Sequence, residues 1–282
     1  MQQDTINIYR QKANYVIDYI SSHLHQPLNL EVIADKINVS QRQLLRIMRS
    51  FLNESLYSYV ARQRVERAVL YMQIEEMSLT KLAGMVGYDN AQSFSKAFKK
   101  QFGISPKAYK NKLQSHLEST VKSSGNRQSH LSPEIYEEKD LELIYIRITG
   151  KYGESDPYKS AWNKLIHFLK EKNALSKTTR FIGISFDDPN VTESRLCRFY
   201  ACASVNYKIA PSGEFGTIQL KGGKYAVYTL KGCYSGLQEL YNTISINFDY
   251  TLRHSLTFEE YLNSPQNTAE EDFLTKVFIP IK

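Results

Sequence analysis

From Ser40 to Asn53, and again from Asn90 to Gly103, the chain holds no acidic residue. Each stretch nevertheless places polar side chains at helical spacing. Arg42, Leu45, Arg46 and Arg49 fall on one side of the first, and Gln92, Ser95, Lys96 and Lys99 on one side of the second. Arginine holds a guanine edge through two parallel hydrogen bonds, glutamine an adenine edge, and lysine and serine suit phosphate oxygens. Leu45 offers an apolar contact to a thymine methyl. Behind the second polar face, Phe94, Phe98 and Phe102 recur every four residues with Ala97 beside them, so three rings anchor a helix that shows only donors and acceptors. A merely solvated helix face mixes signs and carries Glu–Lys pairs. These two faces do not, and the chemistry they suit is recognition of double-stranded DNA.

A second constellation lies further along. Two aromatic-ended runs lead into acids, Phe186-Asp187-Asp188-Pro189 and Phe258-Glu259-Glu260-Tyr261. An acid beside Tyr152, Trp162 and Tyr234 makes an aromatic pocket with one negative charge, which attracts lipophilic cations through charge pairing and ring quadrupoles. The plainer alternative is that these rings are sheet core and the acids solvated turns. The three cysteines, Cys197, Cys202 and Cys233, match no zinc or redox spacing, so buried thiols are expected, with no metal and no cofactor. The chain has no G-x-S-x-G, H-E-x-x-H or Walker lysine motif, and no catalytic residue is expected. A lone carboxylate base needs no such motif, so hydrolysis stays open as an alternative. A third possibility is a module that binds a protein partner and no small molecule.

The elements that must hold these residues follow from composition and periodicity. The 282 residues, 42% hydrophobic and 23% charged, suffice for two domains of a globular protein. Residues 1–130 hold 18 Lys and Arg against 10 Asp and Glu, a net +8, and residues 131–282 hold 18 against 19, a net −1. The positive excess, and with it the expectation of a polyanion partner, belongs to the first part alone. No apolar run reaches a membrane span, and no basic leader precedes an apolar stretch at the start, so a cytoplasmic location is expected.

The first part is helical in pattern. It opens with the stripe Val16, Ile17, Ile20 and Leu24, which Pro27 terminates. An internal repeat follows at an offset of 49, then 50, pairing Leu30 with Leu79, Ile33 with Leu82, Ala34 with Ala83, Asn38 with Gly87, Leu44 with Phe94, Met48 with Phe98 and Leu52 with Phe102. Each copy reads as a helix, a turn that needs Gly or Asn, and a second helix, which is a helix-turn-helix. One continuous helix from Ser55 joins them, about 28 Å long, close to the ~34 Å between successive major-groove windows on one face of DNA. The serine-rich stretch 114–133 reads as a linker. Beyond it, strand patterns flank two helical ones, and the turn Gly150-Lys151-Tyr152 recurs as Gly232-Cys233-Tyr234. The expected fold class is therefore multidomain: an all-α double helix-turn-helix domain over 1–113, the linker, and an α+β domain over 134–282 made of two β-α-β-β halves joined as one sheet.

The first part resembles the AraC/XylS family of bacterial transcription regulators over about residues 8–112. Ala83, Gly87-Tyr88, Phe94, Phe98-Lys99-Lys100, Phe102-Gly103, Ser105-Pro106 and Tyr109 carry the likeness. The resemblance implies that both second helices enter adjacent major grooves and that a monomer can bind an asymmetric site. By position it assigns base contacts to Arg42, Gln43 and Arg46, then to Gln92, Ser93, Ser95 and Lys96. The sequence departs from the family at Asn38, where Gly is usual, and at Leu45, where a polar residue is usual. The second part resembles the GyrI-like effector-binding domains through Ala161-Trp162, Ile182-Gly183-Ile184, Gly222-Gly223-Lys224-Tyr225-Ala226, Glu259-x-Tyr261-Leu262-Asn263 and Ile279-Pro280, among other matches. That likeness implies a groove between the halves, with Glu259 and not Glu260 facing a small-molecule effector. The combined order looks most like the Rob-type regulators. RNA polymerase is a further candidate partner. The promoter, the ligand and the direction of regulation are not legible in the sequence.

Overall fold

Asparagine and serine side chains set where the helices of the first part begin. A computed structural model describes every residue except 1, 75–76, 113–131, 154, 190, 254 and 264–265. It divides into two units, Met1–Asn126 and Arg127–Lys282. The linker expected over 114–133 lies outside the described residues as far as residue 131. The first unit contains α1 (Gln2–Ser22), α2 (Leu30–Lys36), α3 (Gln41–Leu52), α4 (Leu56–Ile74), α5 (Leu79–Met85) and α6 (Ala91–Phe102). A further helix, α7, is described over 106–112.

Asn29, Ser40, Ser78 and Asn90 each turn a side-chain oxygen back onto a backbone N–H of the first turn, and so cap α2, α3, α5 and α6 in matching fashion. Both inter-helix turns pass through the left-handed region, at Asn38 (φ 51°) and Gly87 (φ 87°). Asparagine tolerates that conformation. Gly87 is under a second constraint, because a Cβ there would lie 2.7 Å from the Leu24 carbonyl oxygen. Helix α1 ends at Ser22, five residues before the proline expected to stop it. The freed carbonyls of Leu24 and Gln26 accept from the Arg64 guanidinium on α4 at 2.9 and 2.6 Å. Ala13, Val16, Ile17 and Ile20 of α1 pack with Ile33, Leu44, Met48 and Tyr59 in one core.

The second unit is a single antiparallel sheet of eight strands in the order β1-β6-β8-β7-β3-β4-β2-β5. The strands are β1 (Glu134–Glu138), β2 (Leu141–Thr149), β3 (Phe181–Ser185), β4 (Arg198–Val205), β5 (Phe215–Leu220), β6 (Gly223–Lys231), β7 (Phe258–Tyr261) and β8 (Leu274–Pro280). Helix α8 (Ser155–Glu171) follows β2, and α9 (Leu237–Asn247) follows β6. Each half therefore holds one strand more than the expected β-α-β-β. The added strands are exchanged: β1 of the first half pairs with β6 of the second, and β5 of the second pairs with β2 of the first. The halves meet at β3 and β7, where Phe181 faces Tyr261 and Gly183 faces Glu259. An approximate twofold axis at that seam equates Phe181 with Glu259 and Gly183 with Tyr261.

Side chains alternate between the two faces of the sheet. On one face, Ile144, Ile146, Ala201 and Ala203 pack with Ala161, Leu165 and Leu169 of α8, and Ala226, Tyr228, Val277 and Ile279 pack with Leu240 and Ile244 of α9. The other face gathers Tyr145, Ile182, Tyr200, Tyr225, Phe258 and Phe278, with no helix residue among them. Both helices thus lie on one face, on either side of the β3–β7 seam.

Candidate nucleic-acid interface and ligand site

Helix α3 buries Leu44, Ile47 and Met48 and exposes Arg42, Arg46 and Arg49. Gln43 behaves differently from its arginine neighbours. It is half-buried, and its Nε2 donates to the Tyr9 hydroxyl of α1 at 3.2 Å. Leu45 is half-buried against the helical core, so only part of its side chain faces outward. In α6, Phe94 and Phe98 are fully buried, while Gln92, Ser93, Lys96 and Lys99 are exposed. Phe98 sits 5.6 Å from Phe94, 4.7 Å from Phe102 and 5.4 Å from Tyr109, centroid to centroid. Full burial of Phe94 and of Phe98 contributes about 1.5–3 kcal/mol each to holding the helix from behind. Ser95 donates its hydroxyl proton to the Ala91 carbonyl at 2.7 Å, which leaves it the role of acceptor.

Two acids of this unit are held by a buried arginine, while Asp89, just before α6, is exposed. Arg62 of α4 is bonded to Glu54 at 2.5 Å and to Glu66 at 3.3 Å, and Gln63 donates to Glu66 at 3.1 Å. Arg62, Gln63 and Glu66 are all buried. Burial opposes the Arg62 charge, but its bonds to Glu54 and the two carboxylate charges outweigh that and raise its pKa.

In the second unit, strand alternation gives adjacent glutamates opposite fates. Glu260 points to the face without helices, where Arg180 holds it through Nε and Nη2, each at 2.7 Å, and reaches Glu138 through Nη1 at 2.7 Å. Glu259 points to the helix face and is 5% exposed. Its carboxylate accepts from the Tyr261 hydroxyl at 2.6 Å and from the Tyr241 hydroxyl at 3.1 Å. Burial raises the Glu259 pKa, and the two phenol bonds pull it down. Burial, with the carboxylate charge beside them, pushes both phenols well above their ordinary value.

The aromatic residues expected near the acid are not equivalent. Trp162 meets Tyr261 edge-on at 5.6 Å, and Tyr234 meets it at 5.4 Å while stacking on Phe273 at 5.0 Å. Both converge on Tyr261 and, through it, on Glu259. Tyr152 turns its hydroxyl to the carbonyls of Asp187 and Arg198 at 3.0 and 2.9 Å, where it ties two strand ends together. Asp187 is engaged in turn by the Arg198 guanidinium at 2.7 Å and the Arg198 N–H at 2.7 Å. Tyr241 escaped sequence reasoning altogether, because in Leu-Gln-Glu-Leu-Tyr it has the spacing of one more helix core residue. Gly183 completes the site: a Cβ there would collide with the Tyr261 hydroxyl and lie 2.7 Å from the Phe199 ring. The result is a buried carboxylate under half-buried Trp162, Tyr234, Tyr241 and Tyr261. Such a carboxylate suits a cation, or a group with several donors, that displaces a phenol.

Among the described residues no group of three or more His, Cys, Asp or Glu is placed to hold a metal, and no helix is long and apolar enough to cross a membrane. Cys197 and Cys202 are buried free thiols, and Cys233 is an exposed one.

Comparison with known proteins matches residues 131–282 to the GyrI-like small molecule binding domain and residues 33–112 to a helix-turn-helix domain. Regulatory protein SoxS of Salmonella typhimurium is 30% identical over 105 residues, which are 37% of this chain and 98% of SoxS. The putative HTH-type transcriptional regulator YkgA of Escherichia coli K12 is 33% identical over 104 residues, 36% of this chain and 44% of YkgA. The right origin-binding protein of Escherichia coli K12 is 21% identical over 283 residues, covering 94% of this chain and 96% of that protein. The chain belongs to the AraC-type helix-turn-helix transcription regulators, and within them it carries a GyrI-like small molecule binding domain.

Proposed function

We propose that this regulator holds double-stranded DNA through α3 and α6 in two adjacent major grooves, and that a small amphipathic or cationic compound bound at Glu259 tunes its action on a promoter. The observation that carries the DNA reading is the pair of acid-free faces on a duplicated motif. Arg42, Arg46 and Arg49 stand on one, and Gln92, Ser93, Lys96 and Lys99 on the other. Helix α4 links the copies with 19 residues, about 28 Å of rise. In this reading Arg42, Arg46, Gln92 and Lys96 read bases, and Gln43 and Leu45 mainly brace α3 against the core. The protein acts in the cytoplasm on chromosomal DNA, with RNA polymerase as its further partner.

The ligand reading rests on Glu259, a buried carboxylate that faces rings and phenols but no basic side chain in its described hydrogen bonds. A general-base role for Glu259, favoured by its raised pKa, is the second reading. Both carboxylate oxygens already accept phenol protons, so a base role needs one phenol to leave before water can approach. The match to a small molecule binding domain supports binding without turnover, which we favour. Selection of bound duplexes from a randomised pool tests the main reading. Enrichment of one asymmetric sequence spanning two groove windows supports it, and recovery of unenriched sequence contradicts it. Incubation with bound candidate compounds, followed by a search for hydrolysis products, separates sensor from enzyme.

A further inference from the structure

Thr275 on β8 is 0% exposed, and its hydroxyl oxygen has no hydrogen-bond partner among the described residues. In register it stands opposite Tyr261, and Glu259 stands opposite Val277, so Thr275 is the diagonal neighbour of Glu259. Val277 and Ile279 pack with α9 whereas Phe278 belongs to the opposite face. By alternation Thr275 shares the side of Val277, which is the side of the carboxylate. The diagonal spacing between such neighbours is about 7 Å, the reach of one phenyl ring.

The twofold relation sharpens the point. Thr275 opposes Tyr261, and Ala201 opposes Gly183, so Ala201 is the counterpart of Thr275 in the first half. The counterparts of Glu259 and Tyr261 are Phe181 and Gly183. Around the seam, the second half therefore offers a carboxylate, phenols and a hydroxyl. The first half offers Phe181, Phe199, Ala201 and the edge of Trp162. A buried hydroxyl left without a partner has lost hydration for nothing in return, and a ligand that bonds it recovers that loss. A ligand lacking the group is discriminated against, as at any site built to hydrogen-bond its occupant.

We propose that Thr275 is a specificity-determining residue of the ligand site, and that its hydroxyl selects lipophilic cations carrying a hydroxyl, amine or amide about one aromatic ring from the charge. The proposal rests on the reading of Glu259 as the anchor for that charge. Tyr261 stands opposite Thr275 in register and its phenol is bonded to Glu259: a cation that takes the place of that phenol on the carboxylate displaces it, and the polar group of the ligand then reaches Thr275.

The test uses the full chain and two matched probes, tetraphenylphosphonium and (4-hydroxyphenyl)triphenylphosphonium, in equilibrium titrations. Wild type should prefer the hydroxylated cation by roughly five- to tenfold, the scale of one net hydrogen bond. Thr275→Val should bring that preference to within about twofold while keeping the affinity for tetraphenylphosphonium, and Thr275→Ser should retain it. Because valine removes an unsatisfied group, Thr275→Val should also unfold at or above the wild-type temperature. The proposal is overturned if wild type shows no preference between bound probes, or if the preference survives in Thr275→Val. It is overturned equally if that variant melts lower and loses both probes alike, since the hydroxyl is then structural. If wild type binds neither probe, the ligand reading of Glu259 fails, and the proposal with it.

Discussion

Glu259 and Glu260 are chemically identical neighbours whose surroundings give them different work. Arg180 neutralises Glu260, whereas the hydrogen-bond partners described for Glu259 are two phenols and no cation. Glu259→Gln preserves shape and removes the charge. Cationic compounds should weaken by about 1–3 kcal/mol, the scale of a charge-assisted contact, while neutral amphipaths bind nearly as before. Isothermal titration with matched compounds checks this, and an equal loss for both classes would make Glu259 a structural acid. The raised pKa of Glu259 adds a pH dependence. The native chain retains a proton that the unfolded chain has already released, so the stability from this group is full below the unfolded value. It is lost as pH rises through the folded value. Cation affinity runs the other way and grows through that same folded value, because only the ionised form pairs with the ligand. Both trends should flatten in Glu259→Gln, as melting and binding series across pH will reveal. At the DNA face, Arg46→Ala should cost about 1–3 kcal/mol and relax base preference. Gln43→Ala should cost less in specificity, because the Gln43 amide is already engaged by Tyr9. Fluorescence anisotropy on the selected duplex and on single-base variants distinguishes the two. If Arg46→Ala weakens all sequences equally, Arg46 contacts phosphate and not a base.

At the scale of elements, the helices were legible because their signals are local and reinforce one another. Ser40 and Asn90 cap, Phe94 and Phe98 recur at one helical spacing, and Asn38 and Gly87 take the turn. Strands β1 and β5 were not legible. In Glu-Ile-Tyr-Glu-Glu only two residues are apolar and Ile135 is 50% exposed, and Gly216 interrupts the alternation of β5. Edge strands of this kind are specified by the partner they pair with, and β1 and β5 pair across the two halves. The proposed ligand site shows the same limit. Glu259 stood out by its motif, but Tyr241 and Thr275 acquire roles only when α9 and β8 are brought beside β7. The Arg62 cluster is likewise a tertiary fact, since Glu54 lies eight residues away and before the helix begins. Breaking it leaves Glu66 buried without its cation. Arg62→Ala should therefore lower the stability of the first unit by about 3–5 kcal/mol, as read by urea unfolding. A loss under 1 kcal/mol would mean that the buried acids find water or another donor.

For the whole molecule, the uneven division of charge joins the two sites into one account. The net +8 of residues 1–130 accompanies the helix-turn-helix repeat, and the net −1 of residues 131–282 accompanies a carboxylate suited to a cation. DNA affinity should therefore depend on salt, and ligand-site substitutions should leave it unchanged when no ligand is present. The most direct measurement is the equilibrium affinity of the full chain for its selected duplex across a range of salt concentrations, beside a scrambled duplex of equal length. The account predicts a linear fall of log affinity with log salt, with a slope of roughly 0.9 per phosphate neutralised, and a clear margin for the selected sequence throughout. A flat salt response, or equal affinity for the scrambled duplex, would contradict recognition of DNA by α3 and α6.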